Sequence, residues 1–340
     1  MNPDTYDHCN NERNGAFMTI SSDSDARKTD TPTIAVLIPC FNEEAAIVSV
    51  IESFQQALPA SRIYVCDNNS TDRTIELARA AGATVMRESL QGKGHALRRL
   101  FADVQADVYI LVDGDNTYDP TSASPMVNML IDQGLDMVTG TRVTNVASAY
   151  RRGHLFGNRI LTMAVTSIFG ERITDMLSGY RVFSRRFVKS FPALSSGFET
   201  ETEFTVHALE LDMPLGEIET RYRDRPLNST SKLRTYRDGV RILLTIVNLI
   251  RDQKPLPFFA LLASLSTFAA ILLSIPIFTE FHSTHTVPRF PTAILCVGLM
   301  LLAGIFAACG LILDSVSRGR KEFKRIIYLS IPVFRSNHSK

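Results

Sequence analysis

Two long uncharged stretches constrain the fold of this 340-residue chain more than any other feature of its sequence. Residues 258–278 and 292–313 contain no Asp, Glu, Lys or Arg. An apolar helix of roughly twenty residues crosses the ~30 Å hydrocarbon core of a bilayer. We therefore expect a pair of membrane-spanning helices. Two buried helices of a soluble domain are the alternative.

The charges that flank these stretches predict their orientation. Arg289 is the only Lys or Arg in the link between them. The outer flanks are basic instead, with Arg251 and Lys254 before the first stretch. The residues after the second stretch include Arg318, Arg320, Lys321, Lys324 and Arg325. Because basic flanks stay in the cytosol, both termini and the large amino-terminal part are expected there, at a bacterial inner membrane or, in a eukaryote, the ER.

Up to about residue 255 the sequence is typical of a soluble α/β domain. Short apolar runs at 34–39, 62–66, 83–86 and 108–112 predict strands. Segments with helical apolar spacing at 44–58, 73–81 and 95–104 alternate with them. This alternation predicts a doubly wound, Rossmann-like sheet, in which ligands bind at the carboxyl ends of the strands.

The remaining boundaries follow from composition. Residues 1–31 are polar and are expected to form a disordered tail, and 32–235 the soluble domain. Residues 236–256 predict an amphipathic helix at the membrane interface, and 257–314 the apolar pair. A basic tail, 315–340, follows, in which 318–329 is a second candidate interface helix.

The pattern Asp113-Gly114-Asp115 directly follows the fourth predicted strand. Two carboxylates separated by one small residue can bind a divalent cation that keeps water and phosphate oxygens as its other ligands. Such a cation would neutralise charge on a departing diphosphate. A plain acidic turn is the alternative.

Polar turns follow the other strands. Phe41 and Glu43 could stack a base and hold a ribose, while Asn42 is a candidate N-cap of the first helix. Asp67 could accept a hydrogen bond from a base or a sugar hydroxyl. Lys93, in Gln-Gly-Lys-Gly, resembles part of a phosphate cradle, but the segment lacks the Walker spacing, so phosphate contact remains open.

Taken in order, these segments resemble glycosyltransferase family 2. The matching motifs are Pro-x-x-Asn-Glu at 39–43, Asp-x-x-Ser-Thr-Asp at 67–72 and Asp-Gly-Asp-x-x-Tyr-Asp-Pro at 113–120. The chain is more similar still to the dolichyl/polyprenyl-phosphate sugar synthase branch. That likeness rests on Gly-Thr-Arg at 140–142, Thr-Asp-Met-Leu-Ser-Gly-Tyr-Arg at 174–181, Gly-Phe-Glu-x-Glu-x-Glu at 197–203, and Asp-Arg at 224–225 followed by Ser-Lys-Leu at 231–233.

The resemblance implies a GT-A fold and a role for each matching residue. Asp113 and Asp115 would hold Mg²⁺ or Mn²⁺ and the diphosphate, and Arg142 would contact the diphosphate or the acceptor phosphate. The resemblance also implies that Ser178 contacts the acceptor phosphate. The residues implied in nucleotide binding are Pro39, Phe41, Glu43, Val65, Asp67, Gly114, Arg225 and Lys232. Two departures are Thr117, where relatives often have Gln, and the loop from Arg225 to Lys232, which lacks the usual Gly.

The implied reaction transfers a sugar from a nucleoside diphosphate to a polyprenyl or dolichyl phosphate with inversion. Arg151 and Arg152, ahead of a predicted helix at 158–169, are hypothesised to seat the acceptor phosphate. The expected partners are the donor, the lipid acceptor and the bilayer, with self-association left open. A net charge of +1 argues against nucleic acid as a partner.

The sequence leaves two rival functions. Processive polysaccharide synthases of the same superfamily depend on a Gln-x-x-Arg-Trp motif, which a chain without Trp lacks. A catalytically inactive scaffold or a lipid-linked sugar flippase is the other rival. Spans without charged residues make a poor transport pathway. Metal-dependent release of nucleoside diphosphate that requires polyprenyl phosphate would distinguish the enzyme from a scaffold, which would show none.

Overall fold

The computed structural model describes residues 31–143, 174–194, 199–222, 247–248 and 250–334. The chain divides by its contacts into residues 1–31 and 32–340, and the fold below is that of the second unit. Arg151, Arg152, Arg225 and Lys232 lie outside the described residues, as do the predicted helix at 158–169 and residues 236–246 of the predicted interface helix. These assignments therefore stay predictions.

The first half of the domain alternates strands and helices as predicted. Its elements are β1 (Ile34–Cys40), α1 (Ile47–Ala57), β2 (Arg62–Asp67), α2 (Thr74–Ala80), β3 (Thr84–Arg87), α3 (Lys93–Asp103) and β4 (Val108–Leu111). A 3₁₀ turn (Pro120–Ser122) then leads into α4 (Ala123–Asp132). The second half consists of β5 (Met137–Val143), β6 (Arg181–Ser184), α5 (Arg185–Ser190), α6 (Thr200–Glu210) and β7 (Leu215–Arg221).

The seven strands form one mixed sheet in the order β3-β2-β1-β4-β6-β5-β7. β1 to β4 are parallel, which agrees with the predicted doubly wound pattern. β6 runs antiparallel to both β4 and β5, and β5 pairs in parallel with β7. Since β6 reverses direction between them, β4 and β5 point the same way and their carboxyl ends lie at one edge.

Helices cover both faces of the sheet because the central strands are apolar on both sides. Along β1, Val36 and Ile38 belong to one core cluster, while Ala35 and Leu37 belong to the other. All four side chains are essentially inaccessible to solvent. Full burial of the larger ones, Val36, Leu37 and Ile38, stabilises the fold by roughly 1.5–3 kcal/mol each.

Asn42 is not the N-cap of α1, in contrast to the prediction. The first helix begins at Ile47, and its N-cap, Ala46, makes no side-chain capping bond. Asn42 Oδ1 accepts a hydrogen bond from Thr71 N at 2.8 Å instead. It therefore ties the turn after β1 to the turn after β2, a contact that lies 29 residues away in sequence.

Two long helices, α7 (Pro255–Thr284) and α8 (Phe290–Ser330), follow the domain. Both are long and apolar enough to cross a membrane. They pack along each other, with the rings of Phe259 and Phe306 in contact at 6.4 Å between centroids. The second candidate interface helix at 318–329 is not a separate element, because α8 continues through it without a break.

Acid is expected to destabilise the domain through His207 on α6. Burial, together with the charge of Lys324, lowers the pKa of His207 to about 3. The imidazole of His207 binds a proton below about pH 6.5 in the unfolded chain but not in the folded chain. The free energy of unfolding therefore falls as pH drops below that value, by at most ~1.4 kcal/mol per pH unit.

Thermal unfolding of the detergent-solubilised protein between pH 7.5 and 5 measures this slope. His207→Asn should flatten it, and the exposed His285→Gln is the control. An unchanged slope in His207→Asn would contradict this assignment.

Candidate active site

The turns after β1, β2 and β4 meet at the carboxyl edge of the sheet. Parallel pairing places Cys40 opposite Asp67 and Leu37 opposite Leu111. Asn68 N donates to Cys40 O at 2.9 Å across the first two turns. The sheet thus brings together three turns that the sequence separates by some 70 residues.

Asp67 ends β2 with a buried carboxylate. Its Oδ1 accepts a hydrogen bond from Ser70 N at 3.3 Å. Its Oδ2 has no hydrogen-bond partner among the described residues, and Arg87 Nε lies 3.9 Å away. A buried carboxylate oxygen without a donor is costly. This oxygen can accept an N–H or a hydroxyl from a ligand.

The other predicted nucleoside residues divide into two groups. Pro39, Phe41 and Glu43 are half-buried around the turn after β1. Val65 is fully buried in the core cluster under β2. Its side chain therefore supports the strand that carries Asp67 and does not face the cleft.

The Asp113-Gly114-Asp115 turn packs tightly against the end of β1. A Cβ on Gly114 would lie 2.8 Å from Cys40 Sγ, so this position has no room for a side chain. Asp115 is 4% exposed, and its Oδ1 accepts a hydrogen bond from Thr117 Oγ1 at 2.6 Å. Thr117 is itself fully buried, so it supports Asp115 and does not reach toward a donor. The Asp113 side chain is 28% exposed and is the more accessible carboxylate.

Lys93 and Glu201 lie beside Asp113 in the candidate site, and the sequence predicted neither contact. Lys93 Nζ lies 2.6 Å from Asp113 Oδ1 and 2.5 Å from Glu201 Oε1. Burial would lower the pKa of Lys93, but these two carboxylates outweigh it and raise the pKa, so the ammonium stays charged. Gly92, whose φ of 139° suits only glycine, is the N-cap residue directly before α3 and positions Lys93 at the start of that helix. In the described structure, the Lys93 ammonium therefore forms ion pairs with the carboxylates of Asp113 and Glu201.

The signals that could have indicated this cluster were weak. Lys93 lies in a Gly-rich turn and Glu201 in an acidic segment, each of which alone suggests solvated charge. The two residues are 108 positions apart, so only the packing of α3 against α6 brings them together.

Arg142 near the end of β5 is fixed by an ion pair. Its Nε and Nη2 donate to the two oxygens of Asp175 at 2.7 and 2.8 Å. Burial would raise the pKa of Asp175, but the hydrogen bonds and charge of Arg142 outweigh it and lower the pKa. The guanidinium also lies over the ring of Tyr222, 5.7 Å from its centroid.

Ser178 was expected to contact the acceptor, but its hydroxyl is turned into the domain. It is fully buried and donates to Gly140 O at 2.6 Å. The next residue, Gly179, donates its N–H to the hydroxyl of Tyr118 at 2.9 Å. A Cβ on Gly179 would lie 2.5 Å from Asp113 Oδ2. The Ser178 hydroxyl therefore ties this loop to β5, and the loop packs against the Asp113 carboxylate at Gly179.

The Arg142–Asp175 pair yields a stability prediction. Arg142→Met would remove the guanidinium that balances the charge of a carboxylate with 8% exposure and should lower stability by roughly 3 kcal/mol. Arg142→Met/Asp175→Leu should recover much of this loss, because it removes both charges. Thermal unfolding of the two solubilised variants measures the difference. If the double variant is no more stable than the single one, the pair is not the source of the loss.

The chain resembles glycosyltransferases along most of its length. The family model for Glycosyl transferase family 2 matches residues 35–191. Glycosyltransferase AglJ of Haloferax volcanii is 32% identical over 296 residues, which is 86% of this chain and 97% of that protein. The Dolichyl-phosphate hexose transferase of the same organism is 27% identical over 221 residues, 65% of this chain and 95% of its own.

A solved structure agrees with this grouping. The glucosyl-3-phosphoglycerate synthase of Mycobacterium tuberculosis, crystallised with Mg²⁺ and uridine diphosphate, superposes with a TM-score of 0.51 at 25% identity. The superposition covers 63% of this chain and 79% of that one. The mixed sheet with helices on both faces is thus a GT-A-like fold, and the chain belongs to glycosyl transferase family 2.

Proposed function

We propose that this protein transfers a sugar from a nucleoside diphosphate sugar to the phosphate of a polyprenyl or dolichyl lipid. The observation that carries the proposal is the joining of a family 2 site to two helices long and apolar enough to cross a membrane. A soluble acceptor would need no such helices. One relative is named for dolichyl-phosphate hexose transfer, which supports the same acceptor class.

The donor would bind along the carboxyl edge of the sheet. The Oδ2 of Asp67 accepts no hydrogen bond from the described residues and suits an N–H of the base, and Phe41 and Glu43 lie on the neighbouring turn. Gly114 lets the turn that carries the two aspartates pack against Cys40 at the end of β1, and we expect the diphosphate to lie along this turn. Arg225 and Lys232 stay predicted phosphate contacts.

Asp113 and Asp115 suit a divalent cation by the chemistry of their oxygens. Carboxylates are the ligands that Mg²⁺ and Mn²⁺ prefer, together with substrate phosphates and water. Within the described ranges, no three His, Cys, Asp or Glu residues cluster as a candidate metal site, so the donor would supply further ligands. When bound, the ion would neutralise charge on the leaving diphosphate. The Lys93 ammonium also binds the Asp113 carboxylate, so a second positive charge lies beside it.

The transfer itself needs no strong base from the protein. A phosphate monoester has a second pKa of about 6, so the acceptor is largely a dianion near neutral pH. One of its oxygens forms a bond to the anomeric carbon while the bond from that carbon to the donor diphosphate breaks. The nucleoside diphosphate leaves with the electron pair, and the configuration inverts. The residues around Asp113 would hold the donor, while Arg151 and Arg152 would align the acceptor phosphate.

We further propose that the catalytic domain and both termini lie in the cytosol. The basic residues outside the two apolar helices support this orientation. Such a site faces the compartment that holds nucleotide sugars.

Reconstituted full-length protein tests the function. Proteoliposomes with polyprenyl phosphate and Mn²⁺ would be incubated with radiolabelled uridine-diphosphate and guanosine-diphosphate sugars in turn. We expect one donor to yield labelled lipid, with one nucleoside diphosphate released for each sugar transferred. Release that does not depend on the lipid, or label on added phosphoglycerate, would contradict the lipid acceptor. No release with any donor would favour the scaffold or flippase.

A further inference from the structure

The helix α8 is longer than a membrane crossing requires. Its 41 residues correspond to about 60 Å at 1.5 Å per residue. The uncharged part ends at Leu313, and Asp314 is the first charged residue after it. The remaining turns project from the apolar segment as one continuous helix that ends at Ser330.

The far end of α8 is built into the catalytic domain. Tyr328 is 9% exposed, and its ring belongs to the second core cluster. Its hydroxyl donates to Asp136 Oδ2 at 2.7 Å. Asp136 is fully buried and also accepts hydrogen bonds from Arg186 Nε and Nη2 at 2.6 and 2.8 Å and from Ser184 Oγ at 2.6 Å. The guanidinium of Arg186 lies over the Tyr328 ring, 4.7 Å from its centroid.

A second group of contacts lies one turn earlier on the same face. Lys324 Nζ is 2.7 Å from Glu210 Oε2, whose side chain is 6% exposed. Arg325 donates to Leu211 O at 3.2 Å and pairs with Asp212. The opposite face of this segment makes a sharp contrast, since Phe323, Ile326 and Leu329 are 64%, 66% and 70% exposed.

These contacts lie at the edge of the sheet opposite the active site. Asp136 directly precedes β5, whose other end carries Arg142. Glu210 ends α6, whose first turn carries Glu201 beside Lys93. Both elements therefore run from one edge to the other between the docked helix and the site.

The lengths match. From Leu313 to Tyr328 the helix rises about 22 Å, at 1.5 Å for each of fifteen residues. From Met137 to Val143, β5 rises about 20 Å, at ~3.3 Å for each of six residues. For an upright helix, the edge that carries Asp136 is thus held one strand length from the hydrocarbon. The opposite edge can then lie at the level of the lipid headgroups.

We infer that the end of α8 is a strut that holds the catalytic edge at the membrane surface, with Tyr328 and Asp136 as its positioning residues. The inference rests on the proposed lipid acceptor. A lipid phosphate cannot leave the headgroup layer. An acceptor site that is held at a fixed distance from the membrane can therefore bind this phosphate without large movements of the catalytic domain. A short-chain isoprenyl phosphate in solution can bind at any distance of the site from the membrane.

The test compares two acceptors in the full-length protein. Tyr328→Ala removes the ring and its hydrogen bond, and Tyr328→Phe removes only the bond. We expect Tyr328→Ala to lower kcat/KM for long-chain polyprenyl phosphate in liposomes at least tenfold, mainly through KM. Its kcat/KM for a short, water-soluble isoprenyl phosphate should change less than twofold. Tyr328→Phe should show a smaller loss of the same selectivity, and the exposed neighbour change Leu329→Ala is the control.

A second variant keeps the inference testable if Tyr328→Ala does not fold. Seven residues inserted after Arg320 restore the helical phase to within about 20° and lengthen the strut by about 10 Å. We expect this insertion to abolish lipid transfer and spare the soluble acceptor. Equal effects on both acceptors, or lipid transfer that survives the insertion, would overturn the strut. If the unaltered protein transfers to neither acceptor, the proposed function fails instead.

Discussion

Asp113→Asn is expected to lower the transfer rate by about 10²–10³-fold, the largest effect of any single change at this site. The amide keeps the shape of the carboxylate and can still accept from Lys93, which lies 2.6 Å away. It loses the negative charge that Lys93 and a divalent cation would share. The rate of labelled product formation at saturating donor measures the effect, and the thermal midpoint should stay close to that of the unaltered protein.

Asp103→Asn is the matched control for this change. Asp103 pairs with Arg99 on the surface of α3 at 2.7 Å, and its side chain is 45% exposed. Such a pair contributes little to stability and lies away from the carboxyl edge of the sheet. Transfer by Asp113→Asn above a tenth of the normal rate would show that this carboxylate is not central to the reaction.

Gly179→Ala should lower transfer by about a hundredfold although it alters no functional group, since a shift of ~1 Å at a reacting centre has an effect of that size. The new methyl would lie 2.5 Å from Asp113 Oδ2 and 3.1 Å from its Cγ, so the carboxylate must move. Gly179 is not among the residues with positive φ, so alanine adds no backbone strain. The loss would therefore report the position of Asp113. Product formation and the thermal midpoint should be measured together.

Gly319→Ala provides the control for the added methyl group, because nothing lies within 4 Å of a Cβ at that position. It should change transfer by less than about twofold, in line with surface substitutions away from special features. A Gly179→Ala variant with full activity would mean that the site tolerates a displaced Asp113, which contradicts the role given to the loop behind it.

Local patterns were enough to predict much of the architecture. β1, β2 and β4 were predicted within one residue at each end, because a short apolar run between polar turns has few other ways to be buried. Asp113 was predicted as a site residue because it directly follows such a strand. The two apolar helices were predicted from their length and lack of charge. Each of these inferences uses residues that are neighbours in sequence.

The tertiary structure alone decided which of these residues meet. Tyr328 reaches Asp136 across 192 residues, and Lys93 reaches Glu201 across 108. The sequence motifs predicted an acceptor contact for Ser178 and a helix N-cap for Asn42. In the structure, each side chain instead hydrogen-bonds to a backbone group of another segment. The amino-acid sequence by itself determined the elements of the first half of the domain, the carboxyl-edge carboxylates and the apolar pair, because their signals are local. The partners of Asp113 and the docking of α8 depend on how distant elements pack, and no local pattern carries that information.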